Sequence, residues 1–228
     1  MTPDATRPHD HVREEYRRRA AEYAEALGSM EAVHPSDRAL VEAWAGTVAG
    51  PVIDAGCGPG HWSRFLQERG VEVSGVDMVP EFIDLASRRF PTVTFREGTL
   101  DALGVADVAL GGILSWYSVI HLPPADVGVA LTEFARCLRP GGGLLLGFFD
   151  GARQESFDHA VVTAYRWPIA ELSGELQAAG FDIVETHTRT GPGARPHGAI
   201  VARRADRQAS ALGTRGHRVA AWVPSEES

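Results

Sequence analysis

The sequence predicts an α/β protein built on a doubly wound, mainly parallel β-sheet. Short apolar runs alternate with segments whose apolar residues recur every three or four positions. One such run ends at Ala55 and leads into three glycines, Gly56, Gly58 and Gly60, directly before a helical stretch. That order is typical of a strand, a tight turn and a helix. A later apolar stretch, from about 109 to 116, fits a strand covered on both faces.

Composition excludes several classes of protein. The chain has 228 residues, enough for one α/β domain, and a formal charge of −8 without a dense basic run, which disfavours a nucleic-acid partner. Its two cysteines, Cys57 and Cys137, form neither a metal-binding spacing nor a disulfide framework. Because no signal peptide or 18-residue apolar span is visible, we predict a cytoplasmic protein without a membrane partner.

The first 37 residues are predicted to form a cap helix and a loop. Apolar residues spaced by threes and fours predict a helix from about 10 to 27, with Tyr16 and Tyr23 on one face. This pattern is equally consistent with two roles for the tyrosines: they pack in the core, or they close a ligand cleft. A second helix is predicted from about 38 to 49, capped by Ser36 or Asp37.

The glycine turn is expected to hold a ligand, since glycine permits positive φ angles and close approach to the backbone. A dinucleotide fingerprint requires a third glycine where His61 stands, and the lysine of a phosphate-binding loop is missing. Asp54, at the end of the preceding strand, would repel a pyrophosphate and suit a cationic ligand.

The next strand, 71 to 77, ends on Asp77, which is 17 residues beyond Gly60. The glycine turn and this acid resemble motifs I and II of the class I S-adenosylmethionine-dependent methyltransferases. The resemblance implies that the turn holds the amino acid part of the cofactor, and Asp77 the two ribose hydroxyls. The predicted cofactor contacts in these motifs are Asp54, Gly56, Gly58, Gly60, Asp77 and Met78.

Residues after the third strand flank the adenine in that family, and here Gly98, Thr99 and Leu100 occupy the place. The fourth strand ends in Ser115-Trp116-Tyr117-Ser118, followed by Val119-Ile120-His121-Leu122-Pro123-Pro124. This segment resembles motif IV, in the SWYSxIHxPP form of small actinobacterial members. Ser115 and Trp116 are predicted to contact the cofactor, whose sulfonium suits an aromatic face. His121 is the candidate general base, with a loop-stabilising hydrogen bond as its alternative role.

The resemblance implies a Rossmann-like seven-stranded sheet of order 3-2-1-4-5-7-6, with the last strand antiparallel. The methyltransferase domain is predicted over 38–206, with strand five following the RPGG turn at 139–142, and residues 207–228 as a flexible tail. A segment from about 151 to 168 would complete the acceptor cap. The predicted acceptor contacts are Tyr16, Tyr23, Tyr117, His121 and His159.

The predicted activity is methyl transfer from S-adenosylmethionine to an oxygen, nitrogen or carbon nucleophile of a small, specialised-metabolite acceptor, with S-adenosylhomocysteine as product. No metal is predicted, since the fourth strand lacks the carboxylates of metal-dependent relatives. Two alternatives stay open: a non-methylating enzyme, such as a decarboxylase or cyclase, and a binding-only module. Methyl transfer to a test acceptor would separate them. The sequence makes no prediction about the oligomeric state.

Overall fold

The structure is a computed structural model that describes residues 8–191 and 195–206. The tail predicted over 207–228 lies outside the described residues. The helices are α1 (Pro8–Leu27), α2 (Pro35–Ala45), α3 (His61–Gln67), α4 (Pro80–Arg89), α5 (Pro124–Cys137) and α6 (Ile169–Ala178), with a 3₁₀ turn at Val119–His121. The strands are β1 (Val52–Ala55), β2 (Val73–Asp77), β3 (Thr94–Glu97), β4 (Leu110–Trp116), β5 (Leu138–Asp150), β6 (Glu155–Phe157), β7 (Ala164–Trp167), β8 (Phe181–Arg189) and β9 (His197–Arg204).

Seven strands form the main sheet in the order β3-β2-β1-β4-β5-β9-β8. The first five are parallel, and β9 runs antiparallel to both of its neighbours. With β8 and β9 as the sixth and seventh strands of the prediction, the Rossmann-like fold class and its strand order are confirmed.

The sheet also carries a hairpin that the sequence did not predict. β6 and β7 pair antiparallel, and β7 joins β5 through Arg166 and Trp167 opposite Phe149 and Asp150. Phe149 also pairs with β9 on its other side, so β7 lies on the β4 side of β5, beyond the end of β4. The segment from 151 to 168 therefore holds two strands above the motif IV loop, and the sheet has nine strands instead of seven.

Two predicted helix boundaries were wrong. α2 begins at Pro35, and the Nδ1 atom of His34 caps it by accepting from the Ser36 N–H at 3.2 Å, in place of a Ser36 or Asp37 cap. The predicted domain boundary after residue 37 therefore falls inside this helix. α5 ends at Cys137 and β5 begins at Leu138, so the RPGG residues 139–142 lie inside β5 instead of forming a turn before it, because Leu138 already pairs with Leu110 of β4.

Both faces of the sheet are covered, which leaves its carboxyl edge as the place for a ligand. In β1, Val52 packs into the cluster with α2 and α3, whereas Ile53 packs into the cluster with α5 and α6. Helix α1 packs separately, with Val12, Tyr16 and Ala20 against α4. Within the described ranges, no helix is long and apolar enough to cross a membrane.

Candidate cofactor and acceptor cleft

A cleft with about 740 Å³ of empty space lies at the carboxyl ends of β1, β2 and β4, beneath α1. It brings together most of the residues singled out in the sequence. The lining residues among these are Tyr16, Tyr23, Gly56, Gly58, Asp77, Met78, Gly98, Thr99, Leu100, Trp116, Tyr117 and His121.

The glycine turn fits tightly between β2 and the loop after β4. Gly56, Gly58 and Gly60 have φ angles of 80°, 50° and 84°, a region that favours glycine. A Cβ atom on Gly56 would lie 2.3 Å from the Cβ of Ser118, whereas one on Gly58 would meet nothing within 4 Å. Gly58 therefore offers backbone to the cleft, and Gly56 lets the motif IV loop approach the turn.

Asp77 is held by the backbone at the edge of the cleft. Its Oδ2 accepts from the Gly58 N–H at 2.8 Å, and its Oδ1 accepts from the Val79 N–H at 2.9 Å. Burial raises the pKa of this carboxyl to about 6, and the backbone hydrogen bonds oppose that shift. Each carboxylate oxygen has a further lone pair, so the pair can still accept from two vicinal hydroxyls.

Asp54 lies beneath the turn and does not line the cleft. It is 1% exposed, and its Oδ2 accepts a 2.6 Å hydrogen bond from the Ser63 hydroxyl of α3. Burial raises the pKa of Asp54 to about 7, and the Ser63 hydrogen bond opposes the shift. In this position the carboxyl ties β1 to α3, so its predicted contact with the cofactor stays a prediction.

Three more predicted residues lie next to the cleft without lining it. Gly60 is the N-cap residue of α3, where a Cβ would lie 2.8 Å from the Phe95 ring. Ser115 is buried, and its hydroxyl is 2.6 Å from that of Ser118. His159 lies behind His121, with ring centroids 5.4 Å apart, and its buried Nδ1 has no hydrogen-bond partner among the described residues.

His121 is connected to Tyr16, across the cleft from the glycine turn. The Tyr16 hydroxyl lies 2.7 Å from Nε2 of His121, and the Thr163 carbonyl lies 3.1 Å from Nδ1. Because a carbonyl only accepts, Nδ1 carries the proton, and a neutral His121 therefore accepts at Nε2 from the Tyr16 hydroxyl. Burial lowers the pKa of His121 to about 4, with the Thr163 hydrogen bond opposing, so the ring is neutral at pH 7. The two residues form a proton-accepting pair that opens to the cleft through Tyr16.

Aromatic rings surround this pair. Tyr23 meets Tyr16 edge to face with centroids 5.4 Å apart, and Trp116 and Tyr117 meet in the same way at 5.6 Å. Burial, with a smaller contribution from Asp77, raises the pKa of Tyr23 to about 12. The surroundings of Tyr16 are therefore mainly aromatic, with the Asp77 carboxylate close enough to disfavour ionisation of both tyrosines.

Five lining residues were not predicted as site residues. Val12 comes from α1, and its spacing of four from Tyr16 was the available signal, since i and i+4 share a helix face. Ser118 and Leu122 lie within the motif IV segment. Val79 and Phe82 follow Asp77 at the start of α4, and no sequence signal separated them from core residues. Across the described parts of the chain, no cluster of three or more His, Cys, Asp or Glu side chains could hold a metal ion.

Comparisons with known proteins agree with this geometry. Residues 52–142 match the sequence model of the family described as "Methyltransferase domain". Malonyl-[acyl-carrier protein] O-methyltransferase of Serratia marcescens is 30% identical over 130 residues, which cover 55% of this chain and 50% of that protein. The chain thus matches about half the length of this curated relative.

Solved structures share the fold over nearly the whole chain. The Burkholderia thailandensis 1,6-didemethyltoxoflavin-N1-methyltransferase, with bound 1,6-didemethyltoxoflavin and S-adenosylhomocysteine, gives a TM-score of 0.74 at 23% identity over 90% of this chain and 94% of that one. The [4+2]-cyclase SpnF gives 0.69 at 16% identity over 85% and 95%. Together, these matches confirm the resemblance to the class I S-adenosylmethionine-dependent methyltransferases that the sequence indicated, through the methyltransferase-domain match over 52–142 and the shared fold.

Proposed function

We propose that this chain transfers the methyl group of S-adenosylmethionine to a hydroxyl of a small molecule, so that the reaction is the O-methylation of a specialised metabolite. The observation that carries the proposal is the Tyr16 and His121 pair, which lines the same cleft as Asp77 and the glycine turn. One end of the cleft then holds the cofactor, and the other removes a proton.

The cofactor end supports binding of S-adenosylmethionine. Gly58 presents open backbone to the amino acid part, and Asp77 has free lone pairs for the ribose hydroxyls. Gly98, Thr99 and Leu100 continue the lining where the adenine would lie. The Trp116 ring, which also lines the cleft, provides a face suited to a sulfonium. The cofactor supplies an electrophilic methyl group, and displacement leaves S-adenosylhomocysteine.

The acceptor end supports an oxygen nucleophile. A hydroxyl must lose its proton as the new C–O bond forms, and Tyr16 can take this proton while its own passes to Nε2 of His121. The Thr163 carbonyl holds the required tautomer. The apolar surroundings exclude water and orient the acceptor, so positioning contributes to the rate as well. The Serratia relative is named as an O-methyltransferase, which agrees with this choice.

Two measurements test the proposal. Calorimetric titration should show micromolar binding of S-adenosylmethionine and S-adenosylhomocysteine, with no heat from NADH as a control. Incubation with methyl-labelled S-adenosylmethionine and a panel of phenols and alcohols should then label an acceptor, and Tyr16→Phe should reduce the labelling. Tyr165→Phe, in β7 and outside the cleft lining, is the matched control. Cofactor binding without labelling of any hydroxyl compound would overturn the O-methyltransferase proposal and favour the cyclase or binding-only alternatives.

A further inference from the structure

A second cavity, with about 600 Å³ of empty space, lies beside the cleft at the same end of the sheet. It is enclosed by the start of α2, the end of β4, the end of β8 and the start of β9. None of these segments except the end of β4 contributes to the cleft lining. The cavity is therefore a separate space that the proposed cofactor does not need.

The two spaces share one wall. Trp116 and Tyr117 line both the cleft and the second cavity. The Tyr117 hydroxyl is hydrogen-bonded to Nδ1 of His197 on β9, and its ring packs on Phe149 with centroids 5.0 Å apart. Tyr117 also has a φ of 57°, a strained value for a residue other than glycine, and such strain concentrates at functional sites. This residue is the partition between the methyl-transfer end and the second cavity.

The polar groups of the second cavity balance in charge. Nη2 of Arg189 donates to Oδ2 of Asp37 at 2.8 Å, and the two side chains are 26% and 18% exposed. Burial and then the neighbouring Arg189 lower the pKa of His197, which keeps that ring neutral at pH 7. Because the charges of Asp37 and Arg189 largely cancel at this short separation, neither a ligand carboxylate nor a ligand ammonium gains a net attraction that offsets its loss of hydration, so the cavity favours a neutral polar group.

The hydrogen-bonding groups of Arg189 and Asp37 indicate which kind of neutral polar group the second cavity would bind. A guanidinium carries five N–H donors, and the one of Arg189 that lines this cavity donates to Asp37 through Nη2, so a cation with several donors stands beside a carboxylate acceptor. A carboxamide or lactam edge presents a carbonyl oxygen and an N–H side by side, which would match Arg189 and Asp37 respectively. The rings of Trp116 and Tyr117 offer flat faces for a planar group carrying that edge.

We propose that the second cavity binds the distal part of the acceptor, a planar group with a carboxamide or lactam edge, while the acceptor hydroxyl lies across Tyr117 next to Tyr16. The proposal rests on the proposed function, because only that function makes the bound ligand a methyl acceptor. It adds the class of chemical group that the second cavity recognises. The binding site itself requires only the second cavity.

The test compares three one-ring probes by calorimetry and ligand-observed NMR: 4-hydroxybenzamide, 4-hydroxybenzoate and 4-methylphenol. We expect the full chain to bind the benzamide at least fivefold more tightly than the other two. In Asp37→Asn/Arg189→Gln this preference should fall below twofold. The matched control is Asp182→Asn/Arg203→Gln, a cross-strand pair at the far end of the β8 and β9 hairpin, and it should keep the preference.

Equal affinities for the three probes would overturn the proposal, and so would a preference that survives in the double variant. Circular dichroism and melting temperatures establish that the variants fold. If the double variant does not fold, Tyr117→Gly serves instead. Glycine accepts the positive φ, so the fold should stay intact, and loss of the Tyr117 face should weaken the binding of 4-hydroxybenzamide at least fivefold relative to the native chain. An unchanged affinity of the probe for this variant would overturn the proposal that Tyr117 forms a wall of the binding site.

The titrations are repeated without cofactor and with saturating S-adenosylhomocysteine. A benzamide preference in a chain that binds no S-adenosylhomocysteine would overturn the proposed function and leave the second cavity as a binding site. Binding of S-adenosylhomocysteine without a benzamide preference would overturn the proposal for the second cavity and leave the proposed function standing.

Discussion

The hydroxyl of Tyr16 lies 2.7 Å from Nε2 of His121, although the two residues are 105 positions apart in the chain. Helix α1 carries the first and the 3₁₀ turn after β4 carries the second. The candidate base therefore reaches the cleft through a side chain of the cap helix. Catalysis under the proposed function depends on the correct docking of α1.

Tyr16→Phe and His121→Gln are each expected to lower turnover about 100-fold or more, since each removes the path for the acceptor proton. The double variant should be no worse than the more damaging single variant, because residues that act as a unit are not additive. Cofactor affinity should stay within about twofold. Steady-state kinetics and calorimetry check both expectations, and additive losses would contradict the shared path.

The pH dependence of turnover should reflect the low pKa of His121. Burial lowers that pKa to about 4, so the ring stays a proton acceptor across the neutral range. We expect His121 to contribute no inflection near the ordinary histidine value of about 6.5, whereas protonation of Asp77, whose pKa is raised to about 6, should lower kcat/KM below that pH in the native chain and in His121→Gln alike. An acidic limb centred near 6.5, absent from His121→Gln, would show that the ring is more solvated than its position indicates.

Asp77→Ala should weaken S-adenosylhomocysteine binding by about 1.5 to 3 kcal/mol, the range for hydrogen bonds to a charged group. Part of the loss reflects the turn, because Asp77 also holds the Gly58 and Val79 N–H groups. Asp77→Asn keeps the size of the side chain and should lose less. Calorimetry measures both, with exposed Asp182→Asn as control. Unchanged affinity in the alanine variant would remove Asp77 from the cofactor site.

Asp54 should make the fold less stable as the pH rises. Its folded pKa is raised to about 7, so between its ordinary value near 3.9 and pH 7 the folded state holds a proton that the unfolded state has lost. Stability from this group is fully present below about pH 4 and is lost as the pH rises through 7. His121 acts in the opposite direction, because its lowered pKa makes stability fall as the pH falls from about 6.5 to 4.

The variant Asp54→Asn isolates the contribution of the carboxyl. Relative to the native chain, the variant should gain in free energy of unfolding when the pH is raised from 5 to 8, because the amide does not ionise. Urea unfolding at the two pH values measures the difference, again with Asp182→Asn as control. A difference independent of pH would mean that Asp54 is already ionised in the folded protein.

Gly56→Ala and Gly70→Ala separate backbone strain from crowding. The two glycines have φ angles of 80° and 79°, but only a Cβ on Gly56 would meet another atom, the Cβ of Ser118 at 2.3 Å. Gly70→Ala should cost about 1 kcal/mol of stability. Gly56→Ala should cost a further 1 to 3 kcal/mol, roughly the cost of overpacking. If chemical unfolding gives equal losses in the free energy of unfolding for the two variants, the loop that carries Ser118 moves aside without an energetic cost.

The sequence predicted what depends on local pattern. The glycine turn and Asp77 at the end of β2 follow from short motifs and from the periodicity of apolar residues, and the strand order is what the family resemblance of those motifs implied. Side-chain contacts between segments that are distant in the chain could not be predicted from such local patterns. Nothing near Asp54 indicated that it would be buried against Ser63, and nothing near Arg189 indicated Asp37 as its partner.

The hairpin of β6 and β7 was missed for a related reason. Its strands have three and four residues, and β7 is attached to the sheet through two residue pairs beyond the end of β4. Strands this short show little alternation of their own. Their pairing depends on the exposed end of β5, which is a property of the assembled sheet.

The residues that match the family model, 52–142, include the glycine turn, Asp77 and His121, whereas Tyr16, Arg189 and His197 lie outside them. In evolution, the two ends of the molecule could therefore change at different rates. Substitutions in α1 or in the β8 and β9 hairpin could alter which compound is modified without disturbing the nucleotide-facing turn. Under the proposed function, two descendants of one ancestor could thus keep the same methyl donor and diverge in the acceptor that each one methylates.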